Sequence, residues 1–369
     1  MSLSHHATSP APDADPRIPV TLLTGFLGAG KTTLLNRVLS DASDGKVAVI
    51  VNEFGEAGLD HDLIETSSDE VVLMQPGCLC CSIRGDLSTT FVDLLSRRHA
   101  GTLQFDRVVI ETTGMADPAP ILQTLLVDPV MARNTRMDGV VTVVDAVNGD
   151  ATLDAQFEAV SQVAMADLVL LSKCDLAAQP QADALEARLR RLNETAEIVR
   201  LEQGRIAPKR LWGLSGLRHS ATRQEAIAWT TPISAPDPLA NLSGLAKAEP
   251  STPVHRHDTR ITSVSVVLDD PLKDVAFDLW LDTLIALKGP DILRVKGIVF
   301  LEGIDTPFVF HGVQHLFDPP VPLTTWTGDD RRSRIVVIGR DLTRPELQRS
   351  FDILRATPAL TKQKELSHD

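Results

Sequence analysis

Eight residues near the start, Gly25-Phe-Leu-Gly-Ala-Gly30-Lys31-Thr32, constrain this chain more than any other stretch of it. Glycines let successive backbone N–H groups turn toward a phosphate chain, and the helix that follows adds the positive end of its dipole. Lys31 would reach the β- and γ-phosphates, and the Thr32 hydroxyl would ligate Mg²⁺, with Thr33 next in line. Such a loop works only between a strand and a helix. Ile18–Thr24 is a short apolar run of the buried-strand kind, and Leu34, Leu35, Val38 and Leu39 fall at helical spacing after it. The backbone of Gly25, Gly28, Ala29, Gly30 and Thr33, with Lys31 and Thr32, is therefore read as a nucleoside triphosphate site.

The runs Val47–Val51, Arg107–Ile110, Val140–Val144, Leu168–Leu171 and Glu197–Leu201 repeat the buried-strand pattern, and helical stretches such as Ala182–Leu192 lie between them. Strands alternating with helices predict a parallel sheet covered on both faces, the α/β architecture of a P-loop NTPase. Residues 230–258 carry five prolines and no sustained periodicity, which reads as a linker. Beyond it come a strand at Ile261–Leu268, a helix over Val275–Leu287, strands at Leu293–Leu301, Phe308–His311 and Arg334–Ile338, and a helix from Arg344 to Leu354. That order predicts a smaller α+β C-terminal domain. The division is then a disordered tail over 1–17, a nucleotide domain over 18–229, the linker, and a second domain over 259–369.

Two carboxylates end strands of the first domain. In Glu111-Thr-Thr-Gly114, Glu111 is placed to be the acidic partner of the magnesium, and Gly114 lets the backbone approach a γ-phosphate. Asp145 reads as a solvated strand end. Ser172-Lys173-Cys174-Asp175 follows the strand Leu168–Leu171, where guanine-specific loops read Asn-Lys-x-Asp. Asp175 can accept both N–H donors of guanine and Lys173 can pack over the base, so GTP is the expected nucleotide, although Ser172 removes one amide. No residue stands out as a base that would activate water, so slow intrinsic turnover is expected.

Charge and cysteine usage narrow the partners. Asp and Glu outnumber Lys and Arg by 49 to 36, a formal charge of −13, which argues against a nucleic-acid partner. The start lacks a basic segment followed by an apolar one, and no apolar run approaches the roughly 20 residues of a membrane span. A cytoplasmic protein is expected. Three of the four cysteines, Cys78, Cys80 and Cys81, fall within four positions. Three thiolates on one short loop suit Zn²⁺, which wants four ligands, so a position stays open for a more distant side chain or a receiving protein. Glu53, Glu56 and His61 are candidates for the fourth. A redox pair at Cys80–Cys81 and three inert buried cysteines are the alternatives, and Cys174 reads as structural.

The phosphate loop, Asn52-Glu-Phe-Gly-Glu56, Cys78-x-Cys80-Cys81 and Glu111-Thr-Thr-Gly114 resemble the CobW-type GTPases in type, order and spacing. Arg294-Val-Lys-Gly297, His311-Gly-Val-Gln-His315 and Ser333–Arg340 look like that family's second domain. The resemblance implies a GTP-hydrolysing metallochaperone that binds Zn²⁺, or in some branches Co²⁺ or Fe, and hands it to a client apo-metalloprotein. It also implies that Cys78–Cys81 is the metal motif and Asn52–Glu56 a nucleotide-responsive switch. The chain departs from the family at Ser172, which stands where relatives usually carry Asn. It keeps only His255-Arg-His257 of the histidine-rich stretch many of them have. His311 and His315 read as packing or surface residues. Within this frame the rivals are an activator dedicated to a nitrile hydratase or to cobalamin-pathway cobalt insertion, a nucleotide-gated thiol-redox sensor and a small-molecule kinase. Oligomeric state is left open.

Overall fold

The computed structural model describes residues 15–40, 45–52, 71–73, 83–216, 221–233 and 258–355. The cysteine loop, Glu53, Glu56, His61, His255, His257 and most of the expected tail and linker lie outside these residues.

Seven strands form the first sheet: β1 (Ile18–Gly25), β2 (Val47–Asn52), β3 (Val71–Leu73), β4 (Arg107–Thr112), β5 (Thr135–Asp145), β6 (Leu168–Ser172) and β7 (Glu197–Arg200). All are parallel, in the order β3-β2-β4-β1-β5-β6-β7. Six of them were expected from their apolar runs; β3 is the addition. The inner strands are apolar almost without interruption because both faces are covered. Val20, Leu22, Ile50, Val108 and Ile110 pack into one cluster, while Leu23, Val49, Val109, Val141 and Leu170 pack into another. The covering helices are α1 (Lys31–Ser40), α2 (Ile83–His99), α3 (Ala119–Val127), α4 (Pro129–Asn134), α5 (Gly149–Ala155), α6 (Phe157–Ala164) and α7 (Gln179–Leu192). Strand order reverses around β1, and in such sheets the crevice at the carboxyl ends of the strands is where ligands bind.

The region 221–355 begins with α8 (Arg223–Thr230) and builds an antiparallel sheet from β8 (Ile261–Leu268), β9 (Ile292–Val299), β10 (Phe308–Val313), β11 (Leu316–Phe317), β12 (Val321–Pro322) and β13 (Ser333–Arg340). α9 (Asp274–Lys288), α10 (Arg344–Ser350) and α11 (Asp352–Arg355) cover one face, over Ile335, Val337, Val295 and Phe310. The opposite face of β13 carries Val336 and Ile338, which join the first sheet's cluster beside Val140 and Met165. Strand periodicity thus sends alternate residues of one strand into two different cores. α8 packs on this sheet through Ala226 and Trp229, against Ile298, Phe300 and Val309. Its Trp229 Nε1 donates to Asp167 of the first region at 2.8 Å, so it bridges the two.

A buried charge cluster marks that junction. Arg294 of β9 donates to both Asp167 oxygens, at 2.6 and 2.7 Å, and to the Met165 carbonyl. Burial raises the Asp167 carboxyl, but Arg294 and Lys296 outweigh it and hold the group ionised. Lys296 Nζ lies 3.8 Å from Asp167. Arg294 already saturates that carboxylate, so burial dominates at the lysine and pushes it down to about 7. His311 is buried beside them, and burial lowers its imidazole although Nδ1 lies 3.3 Å from Asp318 Oδ2. His315 is exposed.

Candidate functional site

The register of β1 decides what meets the loop that follows it. Gly25 lies opposite Val143 of β5, and a Cβ there would stand 2.3 Å from the Val143 carbonyl oxygen. Gly28 and Gly30 hold φ of +73° and +99°, a region in which only glycine is unstrained. Ala29 is buried between them. Lys31 opens α1 and turns back over the loop, with Nζ donating to the Gly25 carbonyl at 2.8 Å and to that of Phe26 at 3.4 Å. Thr33 is exposed on the same first turn.

On the other side of β1, Leu23 pairs with Glu111. That places the buried Glu111 carboxylate beside the loop, where Thr32 Oγ1 donates to Oε1 at 3.1 Å. A hydroxyl and a carboxylate are hard oxygen donors, the set that suits Mg²⁺ rather than a softer ion. The turn after β4 presses on the loop itself: a Cβ on Gly114 would lie 2.4 Å from the Leu27 nitrogen. Thr112 Oγ1 donates to Thr24 Oγ1 at 2.8 Å, locking the ends of β4 and β1 together.

The third part is the loop after β6. Ser172 is buried, and its hydroxyl donates to the Ala29 carbonyl at 2.6 Å, with the Val144 carbonyl at 3.2 Å. Lys173 holds φ of +56° and its Nζ pairs with Asp145 Oδ2 at 2.7 Å. Asp175 is exposed two residues on. Cys174 is half-buried with Sγ at the Leu171 carbonyl, and burial pushes its thiol up, as an inert structural cysteine requires. A cleft of about 220 Å³ runs along Phe26–Ala29 and is bounded by Asp145, Asn148, Gln162 and Lys173.

Asp145 corrects the expectation of a solvated strand end. It is 8% exposed and lies beside Ser172 in the β5–β6 register. Besides Lys173 it accepts from the backbone of Val147 and Asn148 and from Asn148 Nδ2. Burial raises its carboxyl, and these bonds more than reverse the effect. Gln162 of α6 carried no sequence signal at all. It is buried, and its amide donates to the carbonyls of Gly114 at 3.2 Å and Ala116 at 3.0 Å.

No group of three or more His, Cys, Asp or Glu residues able to hold a metal occurs among the described residues. Nor is any described helix long and apolar enough to cross a membrane.

Comparison with known proteins agrees with this geometry. The family described as "CobW/HypB/UreG, nucleotide-binding domain" matches residues 19–200, and "Cobalamin synthesis protein cobW C-terminal domain" matches residues 261–355. The zinc chaperone YjiA of Escherichia coli is 35% identical, over 92% of this chain and 99% of its own. The zinc-regulated GTPase metalloprotein activator 1 of Schizosaccharomyces pombe is 30% identical, over 89% of this chain and 83% of its own. The crystal structure of Zn(II)-bound YjiA GTPase from Escherichia coli superposes with a TM-score of 0.69 at 32% identity, covering 92% of this chain and 99% of that one.

Proposed function

The chain belongs to the CobW family of P-loop proteins, and on that premise we propose that it is a GTP-hydrolysing zinc metallochaperone. The observation that carries the proposal is topological. β3 runs parallel to β1 and pairs with β2 in register, Val51 beside Leu73. The chain therefore leaves β3 at the carboxyl edge that also carries the phosphate loop, and resumes at α2 with Cys78, Cys80 and Cys81 in the intervening segment. Three cysteines that follow β3 in sequence by so few residues suit a metal affinity that follows nucleotide state.

In this reading the backbone of Gly25–Lys31 binds the phosphates, and Lys31 exchanges its two carbonyl partners for phosphate oxygens. Thr32 and Glu111 hold Mg²⁺, which neutralises charge on the β- and γ-phosphates. Gly114 senses the γ-phosphate. Lys173 and Asp175 read guanine, while Ser172 braces their loop. Zn²⁺ is the cargo, bound by Cys78, Cys80 and Cys81 and passed to a client apo-metalloprotein; Co²⁺ is a weaker fit to three thiolates. The nucleotide domain starts at residue 18; α8, expected within its 18–229 span, packs instead on the second sheet, and that second domain engages the client, in the cytoplasm. By reciprocity, whatever factor GTP applies to zinc affinity, zinc applies to GTP affinity.

The test is an anaerobic competition titration of Zn²⁺ into the reduced protein, with and without Mg²⁺ and a non-hydrolysable GTP analogue. A 1:1 site that tightens with the analogue and disappears in Cys78→Ala is the expected result. A site indifferent to nucleotide would leave a structural zinc and sink the chaperone reading.

A further inference from the structure

α6 touches both halves of the molecule with buried polar groups. In its last turn, the Gln162 amide donates to the carbonyls of Gly114 and Ala116 in the turn after β4. The Gln162 carbonyl accepts from Thr142 Oγ1 of β5 at 2.9 Å, which seats that end of the helix on the sheet. Just past that same end, the Met165 carbonyl and the Asp167 carboxylate receive Arg294 of the second sheet. Asn193 Nδ2 donates to the carbonyls of Val163, Ala164 and Ala166, fixing the end of the helix as one piece. Only two residues, Val163 and Ala164, separate the side chain that grips the turn from the carbonyl that grips β9.

From this arrangement we propose that Gln162 is the positioning residue of the Gly114 turn, and that α6 carries displacement of that turn to β9 through Arg294. The inference rests on the reading of Gly114 as the γ-phosphate sensor. The physical argument is that both attachments are buried, directional and short. A turn that moves toward the γ-phosphate must either drag the Gln162 amide with it or leave two buried carbonyls without their donor, and the second is the costlier outcome. The helix is short, and its own Ala159, Val160, Val163 and Ala164 are all buried, so it shifts as a unit rather than bending. Gln162 does not touch the reacting atoms; it acts through the turn.

Hydrogen exchange on the full-length protein, with Mg-GDP and with a non-hydrolysable GTP analogue, tests this. In the wild type the analogue should slow exchange over 111–116 and also over 292–299, relative to GDP. In Gln162→Met the protection over 292–299 should vanish, and affinity for the analogue should fall about tenfold while GDP affinity holds. Should that variant not fold, Gln162→Asn keeps an amide in the site but is one methylene too short to reach both carbonyls, and the same result is expected of it. Equal losses for GDP and analogue, or protection of 292–299 that survives the substitution, would overturn the relay. Wild-type protection over 111–116 without any over 292–299 overturns it too, and leaves the sensor reading standing. No protection over 111–116 in the wild type removes both.

Discussion

The Ser172 hydroxyl donates to the Ala29 carbonyl across 2.6 Å, tying the loop after β6 to the phosphate loop. One hydroxyl proton serves one acceptor at a time, and the 3.2 Å contact to Val144 is the weaker claim on it. Serine at this position therefore keeps the brace between the two loops while forgoing an amide that would extend toward the base. Ser172→Ala should cost about 1 kcal/mol of loop order, the net worth of a buried neutral hydrogen bond. Fluorescent-nucleotide titration should show GDP and GTP affinities falling together, roughly fivefold on that energy, with the preference for guanine over adenine intact. A change confined to that preference would mean Ser172 contacts the base.

Thr32 and Glu111 meet because Leu23 and Glu111 share a register, and the same carboxylate is buried. Glu111→Gln preserves the shape and can still bond Thr32, but removes the charge that favours a divalent ion. GTP hydrolysis should fall by about 10²-fold, the scale seen when one charge-stabilising group is deleted, and the Mg²⁺ concentration giving half-maximal rate should rise. Nucleotide affinity without Mg²⁺ should change little. An unaltered Mg²⁺ dependence would remove Glu111 from the ion.

Asp145 and Lys173 form a partly buried pair at 2.7 Å, and Lys173 sits at a φ that costs a side-chain-bearing residue on the order of 1 kcal/mol. The pair holds the lysine in that strained conformation, where it lines the cleft along the phosphate loop. Asp145→Asn should weaken GTP binding about fivefold, near the upper range for a partly exposed ion pair. Asp175→Asn tests the base itself. Guanine offers an N–H and an amino group to a carboxylate, whereas xanthine carries a carbonyl in place of the amino group and suits an amide. Affinity ratios for GTP over xanthosine triphosphate should therefore drop sharply in Asp175→Asn, and stay unchanged if Asp175 is only a turn residue.

What was legible in the sequence followed from patterns that act locally. The phosphate loop, the buried strands of the first sheet and the succession of elements along the second region are set by spacing, apolar runs and glycine, all visible within ten residues. β3 was missed because three residues, Val71–Leu73, are too few to show a period. Asp145 was misread because a strand-end acid looks the same whether water or Asn148 and Lys173 satisfy it. Gln162 and the Asp167–Arg294 pair are contacts across 46 and 127 positions, and nothing in local spacing encodes them. Arg294-Val-Lys-Gly297 stood out only by resemblance; its chemistry, a cation pair sunk between two sheets, became visible when β9 was set against α6.

Lys296 gives that junction a pH signature. Its ammonium is buried beside an aspartate that Arg294 has already claimed, and burial lowers it from 10.5 to about 7 in the folded protein. Between those two values the unfolded chain binds a proton that the folded chain lacks, so stability rises with pH across the interval, at up to ~1.4 kcal/mol per pH unit. Below about 7 both states carry the proton, the slope vanishes and the cost of the buried charge is fully present. Cys174 works in the opposite sense near its own range, because burial raises its thiol above 9.0 in the folded state. The informative window is therefore pH 7 to 8.5, read as wild type against Lys296→Met in denaturant titrations. The variant should lose the upward slope and be at least as stable as the wild type at pH 6, since methionine fills the space without a buried charge. A wild-type curve that is flat from pH 7 to 8.5, or a variant that keeps the slope, would mean Lys296 stays protonated and that Asp167 and the Trp229 ring, 5.2 Å from Nζ, compensate its burial.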